Sequence, residues 1–388
     1  RERLLAEIRS KEPQTIVALG NTAAQTLLES RAGVSSLRTE TGLRALDARV
    51  IATYHPAAAL YNPEVFPSLL RDMGRITQVE VVWEYTKYKV AENVSQGLNL
   101  LRQQLEYSES EHLALDVEVD VEDMRRVDSQ RPRWLCLAIS HRPGAAVVYP
   151  ESVIRHPQFR WQLDRAFQVG HKRWVYQNGK FDIQFLWGDG VTHARVDDDT
   201  MLMHYAVDER KGTHDLEQLA TEILGAGKYK TDARAYLPRK GASFRYIPPD
   251  ILYEYNAADA DVTHRLLKPL SREMDSDGVR RVYEELLIPG SNALARVEFR
   301  GVKVDRNRLV ELEEELTAEL EDLEGALSRW VHNPRSPQQV KTALLELGAA
   351  VSSTDKETLT KLASESGEVG ELADLLLKRS EEHTSELQ

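Results

Sequence analysis

The stretch "HLALDVEVDVED", residues 112–123, constrains the fold more than any other part of the chain. Leu113, Leu115, Val117, Val119 and Val121 alternate with Ala114, Asp116, Glu118, Asp120 and Glu122. Strict alternation predicts a strand with one apolar face. The opposite face is almost wholly carboxylate, with like charges two residues apart. Such a face is either solvated or built to meet something positively charged.

Length and charge narrow the setting. At 388 residues, 41% hydrophobic and 29% charged, the chain fits two or three soluble domains rather than one. No apolar run approaches the length of a membrane span, and residues 1–13 lack a signal-peptide layout. They read as the middle of an amphipathic helix, so a truncated N-terminus is expected. A single cysteine, Cys136, excludes an internal disulfide and any multi-cysteine metal cluster, and points to a reducing, cytoplasmic setting. The net charge of −12 argues against blanket nucleic-acid binding. A local basic groove, or an acidic site whose charge metal ions invert, stays compatible with it.

Strand and helix signals then order the chain. "TIVALG" reads as a short strand followed by a helix, and "ARVIATY" as a second strand running into "HPAAALYNPEVFPSLLRDMGRI". A new unit starts near "EVVWEYTKY", with a helix around residues 91–107 and then the acidic strand. "PRWLCLAISHRPGAAVVYP" predicts two strands around a Pro-Gly turn. "PQFRWQLDRAFQ", the strand "RWVYQ" and a helix opening at "NGKFDIQFLWG" follow. Residues 225–249 mix basic and aromatic residues without periodicity, as a long loop or broken helix would. "DILYEYNAADADVTHRLLKPL" is a helix. A further helix, a short "VKVD" element and a long charged helix with a leucine stripe come after Pro289.

Three segments carry the chemistry. Asp116 and Glu118, at i and i+2 on a strand, project from one face roughly 7 Å apart. Divalent cations about 4 Å apart need this kind of hard oxygen ligation. Asn178 and Asp182 stand at i and i+4 around a glycine where a helix begins, a position where the dipole favours a carboxylate. Tyr255 and Asp259 share one helical face at i and i+4, while Asp261 and His264 of that helix, and Asp120 and Glu122 of the strand, which have no motif partner, read as solvated. Each segment alone has a bland alternative: a solvated strand face, a first-turn Asp, a core tyrosine.

Together, "DVE", "QNGKFD" and "YNAAD" resemble, in order and spacing, the three exonuclease motifs of the 3′–5′ proofreading domain of family A DNA polymerases, the DNA polymerase I type. Val119 departs from the Thr that commonly follows the motif Glu. The resemblance implies an α/β, ribonuclease H-like exonuclease domain, a mixed sheet flanked by helices, over residues 81–284. It implies two divalent metal ions, Mg2+ or Mn2+, held by Asp116, Glu118, Asp182 and Asp259, with Tyr255 orienting the attacking water. The implied reaction releases nucleoside 5′-monophosphates from a single-stranded or frayed 3′ end of DNA. Gln177 and Asn178 are candidates for the terminal nucleotide. Lys228, Lys230, Arg234 and Arg239 sit in a basic, aromatic loop suited to tracking an unpaired strand.

The flanks resemble other modules. Residues 285–378 look like the start of the polymerase domain leading into the thumb, a helical piece that an RNase D-like enzyme would not carry. Polymerase catalytic motifs are expected to lie beyond it. Residues 1–80 are similar to the C-terminal part of a family 4-like uracil-DNA glycosylase, a partial α/β piece in which His55, Pro56 and Ala57 match its His-Pro-Ala motif. "RSEEHTSELQ", residues 379–388, resembles a translated sequencing adapter and is expected not to belong to the natural chain. The reading is thus a monomeric, membrane-free exonuclease of a bacterial nucleoid or phage-infected cell, part of a polymerase fusion. A non-catalytic DNA-binding scaffold and a residual uracil-excising activity are the competing readings.

Overall fold

The fold is that of a computed structural model, which describes residues 2–38, 40, 42–77, 88–106, 110–121, 128–226, 231–239 and 241–385, with side chains at all of these but 231–232 and 381–385. Two compact units divide at residue 301. No helix among the described residues is long and apolar enough to cross a membrane.

The first unit opens with a three-stranded sheet in the order β1 (Thr15–Leu19), β3 (Ala48–Thr53), β2 (Arg44–Ala45). β1 pairs parallel with β3, from Thr15 opposite Arg49 to Leu19 opposite Thr53. The strand passes straight into the helix Gly20–Leu28 because Gly20 adopts a left-handed φ of 84°. Ala24 and Leu27 of that helix join Ala18, Val50 and Ala52 in a small core.

A second, six-stranded sheet has the order β4-β7-β6-β5-β8-β9. Its strands are β4 (Lys89–Val90), β5 (His112–Val119), β6 (Trp134–Arg142), β7 (Ala145–Pro150), β8 (Arg173–Tyr176) and β9 (Asp198–Asp199). The acidic strand, β5, is central: antiparallel to β6 and parallel to β8. Its apolar side, Leu113, Leu115, Val117 and Val119, enters the main core with Leu101, Phe159, Phe167 and Trp174 from the helices Val94–Glu106 and Pro157–Val169 and from β8.

The other side carries small residues. Cys136, Ala138, Ala146 and Val148 of β6 and β7 meet Ala257 and Ala260 of the helix Pro249–Asp277. Small side chains on both surfaces let that helix lie close across the sheet. The acidic face of β5 is therefore partly covered by a helix, with Asp116 and Glu118 left half-buried.

The second unit contains the helices Arg306–Leu327, Pro337–Glu346, Lys356–Leu362 and Glu368–Ser385 around Leu327, Leu344, Leu359 and Leu372. The expected "VKVD" element is not regular structure: residues 301–305 have none, and Asp305 instead caps the long helix by accepting from Asn307 N and Arg308 N. Of that helix, Leu327 alone is buried, so most of its leucine stripe is not core. Arg379 is buried and donates to Glu324 at 2.9 Å. Around residue 285 the backbone is continuously helical, through the π-turn Tyr283–Leu287 into Ile288–Arg300.

Candidate active site

The pleat of β5 sends Asp116 and Glu118 to the partly covered face, opposite Ala138 and Cys136 of β6. The helix Pro249–Asp277 brings Asp259 down onto them. One oxygen from each of Asp116, Glu118 and Asp259 lies within 4.8 Å of the others. Two unit charges 4 Å apart at an effective dielectric near 20 repel by about 4 kcal/mol. An all-oxygen set of this size suits a divalent cation, which would offset such repulsion. The potential is felt next door. Burial, then the charges of Glu118 and Asp116, push the Cys136 thiol well above its ordinary range, so the lone cysteine is inert.

Tyr255 lies one turn before Asp259 and is almost fully buried. Burial first, then Asp259, Glu118 and Asp116, raise its phenol well above the usual value, while Arg234 opposes the rise. The hydroxyl is thus a neutral group beside the carboxylates. Phe244 meets the ring edge-on at 5.5 Å.

Asp182 stands behind this trio rather than within it. Pairing of β5 with β8 ends at Ala114, so beyond it that edge of β5 lacks a β8 partner. The helix Gly179–Gly188 enters there, and Asp182 Oδ1 accepts from Val117 N at 3.1 Å. Burial, followed by the charge of Asp116, raises the Asp182 carboxyl well above the usual range despite that bond.

The turn that delivers Asp182 is built backbone first. Asn178 is left-handed at φ 64°, and a Cβ on Gly179 would stand 2.5 Å from the Tyr176 side chain. Asn178 N and Gly179 N donate to Asp199 at 3.1 and 2.8 Å, and Asp199 also caps the helix Thr200–Val207. Gln177 is held at both ends of its amide, donating to His214 O at 2.7 Å and accepting from Thr200 Oγ1 at 2.6 Å.

Of the basic loop, Lys228 and Lys230 lie outside the described residues, as does Glu122. Arg239 is exposed, and Arg234 pairs with Glu217 at 2.9 Å. Three readings of solvated groups are corrected. Asp120 accepts from Ser243 Oγ and pairs with Arg245, tying this loop to the end of β5. Asp261 is fully buried, accepting from Gly144 N at 2.7 Å and Tyr88 Oη at 3.0 Å. His264 is largely enclosed, and its pKa falls to about 4 through burial. His55 lies on the surface before Pro56, its Nδ1 accepting from Ala57 N at 3.1 Å, with Gly20 packed against its Cβ.

Two contributors were not anticipated. Asp199 had a usable signal, an Asp-Thr pair before an apolar run, which marks a helix cap. Asn256, beside Tyr255, is fully buried and donates from Nδ2 to Asp116 Oδ2 at 2.7 Å. Its signal was a lone amide in an alanine-rich run.

Known proteins resemble this chain over two regions. Residues 93–275 match the family described as 3′-5′ exonuclease of the DNA polymerase A class, and residues 1–75 the uracil DNA glycosylase superfamily. The DNA polymerase of Escherichia phage T5 is 31% identical over 269 residues, 60% of this chain and 31% of that protein. DNA polymerase I of Rhizobium leguminosarum is 36% identical over 169 residues, 43% of this chain and 16% of that one. The DNA polymerase of Bacillus phage SP01 is 23% identical over 357 residues, 83% of this chain and 38% of its own. The chain thus spans about a third of the length of the T5 relative, and well under half of the other two. A solved structure, the POL domain of Pol1 from M. smegmatis in complex with DNA primer-template and dNTP, shares the fold at TM-score 0.56 and 19% identity, covering 77% of this chain and 48% of that one.

Proposed function

We propose, from the premise that residues 93–275 are a 3′–5′ exonuclease domain of the DNA polymerase I type, that this chain hydrolyses DNA from a 3′ end in proofreading. The observation that carries the reading is the convergence of Asp116, Glu118 and Asp259 within 4.8 Å beneath one helix.

Asp116, Glu118 and Asp259 would hold one divalent ion, and Asp116, with Asp182 acting through water, a second, either Mg2+ or Mn2+. When bound, such ions polarise the phosphate and lower the pKa of water. The protein groups do the placing. Tyr255, kept protonated by its surroundings, orients the attacking water through its hydroxyl. Hydrolysis of the terminal phosphodiester leaves a 3′-hydroxyl on the shortened strand and frees a nucleoside 5′-monophosphate. Asn178 and Gln177 would contact the terminal nucleotide, Gln177 from an amide tied to His214 and Thr200. The loop carrying Lys228, Lys230, Arg234 and Arg239 would track the unpaired strand by charge and stacking.

Residues 1–80 are read as a glycosylase-like segment, 81–284 as the exonuclease and 285–378 as the lead into a polymerase domain, with 379–388 not native. The test is direct. Purified protein with Mg2+ or Mn2+ should shorten a single strand from its 3′ end, releasing 5′-monophosphates. An intact strand under both metals sinks the proposal.

A further inference from the structure

Asn256 sits where the helix Pro249–Asp277 crosses β5, among Ala257, Ala258 and Ala260, and is fully buried. Its Nδ2 lies 2.7 Å from Asp116 Oδ2 and 3.3 Å from the backbone oxygen of Asp116. Both neighbours are acceptors, so the orientation of the amide is dictated: the NH2 faces Asp116. One amino group thereby bridges the carboxylate and the carbonyl of the same residue, which fixes how the Asp116 side chain leaves the strand.

The opposite end of the amide is informative. Asn256 Oδ1 is buried without a hydrogen-bond partner among the described residues. A buried unpaired acceptor is destabilising, and alanine, the residue around it on this helix, would avoid that cost. The amide therefore makes sense through what Nδ2 does. As a neutral donor it holds Asp116 in place. It adds no positive charge to compete with a cation for the cluster.

We infer that Asn256 is a positioning residue that presets the Asp116 carboxylate for a divalent cation. This rests on the proposed metal-dependent reading of the same site. Groups that orient a metal ligand typically change metal affinity or activity by about 10–100-fold when removed.

The experiment is calorimetric titration of the full chain with Mn2+ alone, without DNA, beside steady-state hydrolysis of a 3′-labelled strand. Asn256→Ala is expected to weaken Mn2+ binding by about 10–100-fold. KM for the strand should stay unchanged, and kcat should recover as Mn2+ is raised. Asn256→Leu keeps the side-chain volume without the donor and should behave alike, with thermal midpoints showing that both variants fold. In an Asp116→Ala background, Asn256→Ala should cost no further affinity. Variants that bind Mn2+ as tightly as the parent overturn the inference alone. A parent chain that neither binds Mn2+ nor cuts DNA overturns the metal-dependent reading, and the inference with it.

Discussion

At the scale of single residues, the proposed cation site is first a problem of repulsion among carboxylates. Asp116 is its centre: it faces Glu118 and Asp259, raises the Asp182 carboxyl, and is held by Asn256. Asp116→Ala should therefore cost more activity than the about 10–100-fold loss typical of outer-shell partners. Without metal, Asp116→Asn, which keeps an oxygen for Asn256 to donate to and removes one repelling charge, should unfold at an equal or higher temperature. A large loss of activity with a lowered midpoint would instead mean that Asp116 serves the fold. Tyr255→Phe keeps the ring against Phe244 and deletes only the hydroxyl. If that hydroxyl orients the water, kcat should drop up to about a hundredfold with stability nearly unchanged. Unaltered turnover would remove Tyr255 from the reaction.

At the scale of elements, the end of β5 and the loop before the helix Pro249–Asp277 act as one piece. Asp120 binds Ser243 and Arg245, while Phe244 between them packs on Tyr255. Asp120→Ala should free this loop, giving faster tryptic cleavage at Arg239 and a higher KM for DNA at unchanged kcat. Equal cleavage rates would show that the tie is incidental. The strand and the motif residues of the site were legible in sequence because a period of two makes Asp116 and Glu118 co-facial, and i, i+4 spacing does the same for Tyr255 and Asp259. Asp261, His264 and Asn256 were not. The helix Pro249–Asp277 is buried on several sides through its first half, from Leu252 to Leu266. An element covered all round has no polar stripe from which to read a face. Asp120 misled for a related reason: its partners lie more than a hundred residues away, at Ser243 and Arg245.

At the scale of the first unit, the segment similar to uracil DNA glycosylases and the segment similar to 3′-5′ exonucleases are joined by buried charge. Arg38 makes a two-pronged pair with Asp72 at 3.0 and 3.1 Å and reaches Glu222 of the second segment at 2.7 Å. Thr53 Oγ1 donates to Asp72 at 2.6 Å. Arg38→Ala would take from two buried carboxylates their nearest cation, leaving Arg75 at 3.8 Å from Asp72 and Arg71 at 3.5 Å from Glu222, and should destabilise this unit by about 3 kcal/mol in urea unfolding. The same junction carries a pH dependence. Arg71 donates to His204 Nε2 at 3.1 Å, so neutral His204 bears its proton on Nδ1 and gives it to His214 Nδ1, 2.8 Å away. Burial, then Arg71 and His214, lower the His204 pKa to about 4. Between its unfolded value near 6.5 and about 4, the unfolded chain binds a proton that the folded chain refuses. Stability should thus fall as pH drops through that window, by roughly 3 kcal/mol from this group at the acid end. His264 shifts the same way, so the measurement is the difference between parent and His204→Gln. Glutamine can still accept from Arg71 and donate to His214 but does not titrate. Its unfolding free energy should decline less steeply from pH 7 to pH 4.5, and parallel curves would show that the junction does not sense protons through His204.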